Sequence, residues 1–222
     1  MPREVIDLSQ ELATGMQVFG LHSPTHVLPW ATREARGFQS ETLFCNTHAG
    51  THVDAPVHFL AGGDGVDRIA LTRFFGPAVV LDLTGLPPRS HISAVQLERC
   101  AAEQIAPRAG DIVLLYTGID ARYGEREYLT DFSGLSKEGA DHLARLEIKA
   151  VGTDAAGIDG ADARPCPAHH VLLPRGIVVF ENLANLGRLL QVARGRRFTF
   201  HALPLKIRSA SGSPVRAMAL VE

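Results

Sequence analysis

The sequence predicts an α/β fold, on three observations. Continuous apolar runs rich in β-branched residues recur along the chain, as strands buried on both faces do. Segments with helical spacing and N-capping residues lie between them. Strand-like and helix-like segments therefore interleave, which is the pattern of α/β architecture. With 222 residues and no internal repeat, low-complexity tract or linker, the expected organisation is one domain over residues 1–222.

The elements follow in order. EVIDLS (4–9) reads as a first strand and ETLFCNT (41–47) as another. AVVLDL (78–83) is a buried strand by its unbroken apolar run. SAVQLERCAAE (93–103) is helical, and Ser93 with Gln96 three residues later forms a capping box. DIVLLYT (111–117) is a further buried strand. In SKEGADHLARLEIK (136–149), Ser136 is the N-cap, and Ala140, Leu143 and Leu146 share one helical face. AVGTD (150–154) follows as a short strand, and GIVVFEN (176–182) is a strand with a carboxylate at its end. LANLGRLL (183–190) is a short helix, and RFTFHALPLKI (197–207) and VRAMALV (215–221) are late strands. The Gly- and Pro-containing segments 60–65, 85–89 and 157–167 are loops.

Composition removes several function classes. At 45% hydrophobic and 21% charged residues the chain is an ordinary globular sequence. A net charge of −2 provides no electrostatic footprint for nucleic acid or an anionic membrane. Three cysteines without a C-x-x-C pair argue against a disulfide framework and for a reducing cytoplasm. No apolar run approaches the roughly 18 residues that span a bilayer, and the N-terminal stretch has no signal core. Aromatic residues make up 6% of the chain, which does not announce an aromatic-lined pocket.

The stretch HAGTHVDAPVHF (48–59) carries the chemistry. A helix is excluded there: Gly50 is a weak former, Thr51 and Val53 are β-branched, and Pro56 breaks the ladder. In an extended chain the side-chain period is two, so the even-numbered His48, His52, Asp54 and His58 face one side. His52 and Asp54 then stand about 6–7 Å apart, within reach of one ion, whereas His48 and His52 would be about 13 Å apart in a straight strand. The chain must bend between them, and Gly50 permits it. Three histidines and an aspartate turned into an empty core would be costly. His48, His52 and Asp54 are thus expected to converge on a divalent cation. Imidazole and carboxylate suit Zn²⁺, Mn²⁺ or Fe²⁺ better than Ca²⁺. Downstream, PAHHV offers His169 and His170 as further donors, and Glu181 follows four apolar residues of a buried strand, a place where a carboxylate needs a partner. Spacing alone does not choose between the two histidines.

These residues resemble the cyclase family of metal-dependent hydrolases. Its motif H-x-G-T-H-x-D-x-P-x-H is matched by His48, Gly50, Thr51, His52, Asp54, Pro56 and His58, and the similarity extends to DLSQEL, GDIVLLYTG, GIVVFENLANL and SGSPVRAMA. The resemblance implies a swivelling β/β/α-type domain around a mixed sheet. It implies two divalent metals per subunit, Zn²⁺ first and Mn²⁺ second. His48, His52 and Asp54 would hold one, and Asp54 would bridge to another held by a histidine and Glu181. Family spacing selects His169 for that histidine. His58 takes the place of the family's acid/base. Phe19 stands where the family has an aromatic residue at the substrate pocket, although Gly20 replaces the usual following proline.

The implied activity is hydrolysis of a carbon–nitrogen amide bond. The first substrate is an aryl formamide, N-formylkynurenine giving kynurenine and formate. The alternatives are a cyclic amide such as isatin, a lactone, or a catalytically idle binder on the same scaffold. Chemically, the ion would activate a water and polarise the carbonyl, and His58 would carry the proton to the leaving nitrogen. No G-x-S-x-G elbow supports a covalent route, and SASGSP (209–214) reads as a turn. AGGDG (61–65) lacks the Lys-Ser/Thr of a phosphate loop and reads as a loop beside the site. The expected partners are a small-molecule substrate and further copies of the chain in a homodimer or higher homo-oligomer, with neither nucleic acid nor membrane.

Overall fold

The computed structural model describes residues 4–20 and 22–222. Strands β1 (Glu4–Asp7), β2 (His26–Ala31), β3 (Ser40–Phe44), β4 (His52–Asp54) and β5 (Phe75–Asp82) come first, with the short helix α1 (Arg33–Arg36) between β2 and β3. Then follow β6 (His91–Ile92), α2 (Ala94–Glu103), β7 (Ile112–Tyr116), α3 (Arg126–Thr130), β8 (Gly134–Leu135), α4 (Lys137–Arg145) and β9 (Ala150–Thr153). The chain finishes with α5 (Pro167–Leu172), β10 (Val178–Glu181), α6 (Leu186–Ala193), β11 (Phe198–His201), β12 (Gly212–Pro214) and β13 (Met218–Val221).

A nine-stranded sheet organises these elements, in the order β1-β13-β11-β5-β7-β9-β10-β4-β12. Its centre, β5-β7-β9-β10, is parallel. Both flanks are antiparallel, so the sheet is mixed as expected. Strand alternation sorts the core into two layers. Ala78, Val80, Ile112, Leu114, Ala150, Val178 and Phe180 face α6 through Leu186, Leu189 and Ala193. Val79, Leu81, Val113, Leu115, Val151 and Val179 face α2, α4 and α5 through Leu97, Ala140, Leu143, Ala168 and Leu172. Each central strand is apolar on both faces because both are covered, hence the unbroken apolar runs.

The expected caps are present. The Ser93 hydroxyl accepts from the Gln96 N–H at 3.4 Å, and the Gln96 side chain accepts from the Ser93 N–H at 2.7 Å. Ser136 accepts from the Gly139 N–H at 3.1 Å.

Several elements differ from the sequence reading; the strand read over 197–207, for one, is only Phe198–His201. The helix in 183–190 starts only at Leu186, because Leu183 and Ala184 donate backbone bonds to Thr153 and Leu8 and Asn185 adopts a left-handed φ of 58°. The 209–214 stretch is not only a turn: Gly212–Pro214 pair with β4 and complete the sheet edge. Strand β2 is an addition, hidden in the sequence by Pro29, which sits beside a register irregularity in the β2–β3 pair. That hairpin stands apart from the large sheet and exposes Trp30 at 80%, Phe44 at 55% and Leu28 at 50%. No helix among the described residues is long and apolar enough to cross a membrane.

Candidate metal centre

Strand β4 is three residues long and buried throughout. Its side-chain parity puts His52 and Asp54 on one face, and its pairing with β10 sets Glu181 directly opposite His52. His52 Nε2 lies 3.3 Å from Asp54 Oδ1 and 3.6 Å from Glu181 Oε2. The chain ahead of β4 does bend. Gly50 has a φ of 59°, a conformation strained for any other residue, and a Cβ there would stand 3.0 Å from the Leu12 side chain, which would have to give way. The bend brings His48 Nδ1 to 2.6 Å from Asp54 Oδ1. After β4, Pro56–His58 forms a 3₁₀ turn that returns His58 over the site, its ring stacked on His48 with centroids 4.2 Å apart.

His169 reaches the same place from α5. Its Nε2 is 3.1 Å from Asp54 Oδ2 and 3.3 Å from Glu181 Oε1. His170, its neighbour on the helix, is exposed. The structure thus brings His48, His52, Asp54, His58, His169 and Glu181 together and leaves His170 outside. Phe19 is in the pocket wall, edge-on to Phe132 at 6.1 Å.

The surroundings fix which nitrogen each ring presents. His52 Nδ1 is 2.8 Å from the Gly50 carbonyl oxygen, an acceptor only, so Nδ1 donates and Nε2 keeps its lone pair. His169 Nδ1 donates to Asp159 Oδ2 at 2.5 Å, which leaves its Nε2 free as well. Asp159 is itself held by the Ala168 N–H at 2.6 Å, and Glu181 Oε1 by the Ile158 N–H at 2.7 Å. His48 Nε2 meets the Ser211 hydroxyl at 2.9 Å. Such outer partners orient metal ligands. Asp159 and Ser211 are site residues that the motif's local spacing could not reveal, since each comes from another segment, and the buried Asn182 directly follows Glu181.

The donor set fits a divalent cation. Two imidazole Nε2 lone pairs point at carboxylate oxygens, which is repulsive unless a proton or a cation lies between them. Ligand atoms of His52, Asp54 and Glu181 lie within 4.8 Å of one another, as do those of His48, Asp54 and His58. Asp54 belongs to both groups. Burial opposes charge on His52, yet Asp54 and Glu181 outweigh it and raise its pKa. For Asp54, burial pushes upward, but His52, His169 and His48 hold it well below the usual carboxylate range. His58 behaves differently: burial pushes its pKa down to about 4, against the pull of Asp54.

A cavity of about 240 Å³ opens above this cluster. Phe19, Phe59, Tyr128 and Phe132 line it, so the pocket has aromatic walls despite the low aromatic content of the chain. The cavity is at the small end for a ligand pocket and suits one small molecule.

The chain is similar to known proteins over most of its length. The family model "Cyclase: Putative cyclase" matches residues 6–160. The chain is 35% identical to a kynurenine formamidase of Salinibacter ruber over 180 residues, 80% of this chain and 77% of the relative. It is 30% identical to a kynurenine formamidase of Bacillus thuringiensis over 216 residues, 97% of this chain and 96% of the relative. An isatin hydrolase A from Ralstonia solanacearum superposes with a TM-score of 0.89 at 27% identity, over 99% of this chain and 92% of that one.

Proposed function

Because this chain belongs to the cyclase family, we propose that it is a metal-dependent hydrolase of a carbon–nitrogen amide bond, with an aryl formamide as substrate. The observation that carries this reading is Asp54, buried below an aromatic-walled cavity with ring nitrogens of His48, His52 and His169 at 2.6, 3.3 and 3.1 Å from its carboxylate oxygens. His48, His52 and Asp54 would hold one cation, and Asp54, His169 and Glu181 a second. Zn²⁺ suits these donors, with Mn²⁺ the next choice. When bound, such cations lower the pKa of water and polarise a carbonyl.

The remaining steps belong to side chains. Phe19, Tyr128 and Phe132 provide apolar faces for an aryl ring and exclude water from it. Water adds to the formyl carbon, the carbon–nitrogen bond breaks, and the products are formate and an arylamine. A proton must leave the attacking water and reach the departing nitrogen. His58 suits this: it is neutral at pH 7, lies beside Asp54 and His48, and among the described residues its ring is bound to neither backbone nor carboxylate. The formamide assignment draws on the kynurenine formamidase relatives, and a cyclic amide of the isatin kind is the second reading, drawn from the isatin hydrolase fold match. A single domain carries the reaction. The free thiols suit a reducing cytoplasm. The exposed apolar hairpin β2–β3 suits contact with a second copy of the chain.

The test is turnover of N-formylkynurenine, isatin and a simple lactone by metal-loaded protein, with a chelated control. Chelator-sensitive hydrolysis of N-formylkynurenine is the expected result. Turnover that survives chelation would sink the metal chemistry, and turnover of the lactone alone would remove the amide assignment.

A further inference from the structure

The chemistry proposed above uses the floor of the cavity and leaves its exposed end without a task. Arg164 stands at that end. It is exposed, lines the cavity, and is the one Lys or Arg among the described residues that does so. One arm of its guanidinium is fixed, since Nη1 donates to the Ala163 carbonyl at 2.7 Å and lies 4.0 Å from Cys166 Sγ. Among the described residues no carboxylate pairs with it, and Nε and Nη2 have no acceptor. The acidic residue nearest in sequence, Asp162, is already taken by Arg89 at 3.1 Å and faces His91 at 3.7 Å. The Nε–Nη2 edge that remains is the fork which binds a carboxylate through two parallel hydrogen bonds.

Charge placement indicates what the fork receives. Among the described residues the carboxylates that line the cavity, Asp159 and Glu181, are buried and turned to His169, and neither pairs with Arg164. The floor's donors are committed to one another and to the cations proposed above, so an anionic group of the ligand other than the reacting one finds its partner in the unpaired guanidinium of Arg164. We infer that Arg164 is a carboxylate subsite, which selects aromatic amides bearing an anionic group remote from the scissile bond. This rests on the hydrolase reading, and it names a specificity residue rather than a catalytic one.

The experiment compares two aryl formamides, N-formylkynurenine, which carries a carboxylate, and formanilide, which does not, on the wild type, R164Q and R164K. For R164Q, KM for N-formylkynurenine should rise about 10–100-fold, the range for losing a charge-assisted pair, with kcat within about twofold. Formanilide kinetics should be unchanged. R164K keeps the charge but not the fork and should fall between. Calorimetry with kynurenine and the neutral 2-aminoacetophenone supplies a second readout on metal-loaded protein. Kynurenine should bind R164Q at least about tenfold more weakly than wild type, and 2-aminoacetophenone equally to both. If neither formamide is hydrolysed, the hydrolase reading fails and the calorimetry alone decides the subsite. Equal losses on charged and neutral ligands, no loss on either, or no binding of kynurenine to the wild type would overturn the assignment of Arg164.

Discussion

At His58 burial and charge pull in opposite directions. Removal from water disfavours the imidazolium, Asp54 favours it, and burial wins, leaving a pKa of about 4 against an ordinary 6.5. The sign matters for the pH profile. A group with a depressed pKa is protonated only at low pH, so the base form persists as pH falls through 6.5 and is lost toward about 4. kcat/KM should therefore stay level from pH 8 to below pH 6. An acid limb centred near 6.5 would show that His58 is more solvated, or less involved, than its position indicates. His58→Ala should retain its metal by elemental analysis while kcat falls about 10²–10⁴-fold, the usual worth of a general acid/base. Asp159→Asn should do the reverse. It weakens the hold on His169 Nδ1, so metal affinity should drop about 10–100-fold in competition with a chelator. The parity of His52 and Asp54 was legible in the sequence because a strand has a period of two. The same argument placed His48 and His58 on the right side for a different reason, since neither is in a strand; a bend and a 3₁₀ turn bring them in. Asp159 was not legible, because its partner lies ten residues away across a loop and a helix start.

Strand β12 shows how one element makes room for another. Gly212 pairs with Asp54, and a Cβ on it would lie 2.7 Å from His48 Cε1 and 2.8 Å from the Val53 carbonyl oxygen. Gly212→Ala should thus displace His48 and lower metal content while the far side of the sheet remains folded. Metal binding equal to wild type would show that β12 can yield. The glycine was visible in the sequence, but what it accommodates was not, because the contact joins distant segments, as does the His48–Ser211 pair, 163 residues apart. The β2–β3 hairpin was half legible for a local reason: Pro29 removes a donor and disguises β2, whereas β3 is unbroken. Two-stranded hairpins are marginal in water without packing, and this one exposes Leu28, Trp30, Leu43 and Phe44. On the proposal that this hairpin meets a second copy of the chain, Trp30→Ser with Phe44→Ser should lower the mass seen by light scattering. An unchanged mass would remove the hairpin as a self-association surface.

For the whole molecule, stability and ligand occupancy are one equilibrium. An ion held only by the folded chain stabilises it by about 2.7 kcal/mol at a hundredfold excess over Kd. For a chain of this size that is about 5–10 °C in Tm. Chelator-treated protein should gain that shift on adding Zn²⁺ or Mn²⁺, and Asp54→Ala should gain little, because the carboxylate common to both groups is gone. The class of fold was legible because the parallel centre is covered on both faces and writes continuous apolar runs into the sequence. The order of strands was not, because pairing across long separations leaves no local mark. That order has a consequence for how the protein is made. β4 is flanked by β10 and β12, so the segment bearing His52 and Asp54 is synthesised long before either neighbour exists. A nascent chain halted before Ser211 has the histidines of the motif but no edge strand to hold His48 in place. On the metal-centre reading, a chain not yet carrying β12 should therefore hold the ion more weakly than the whole one.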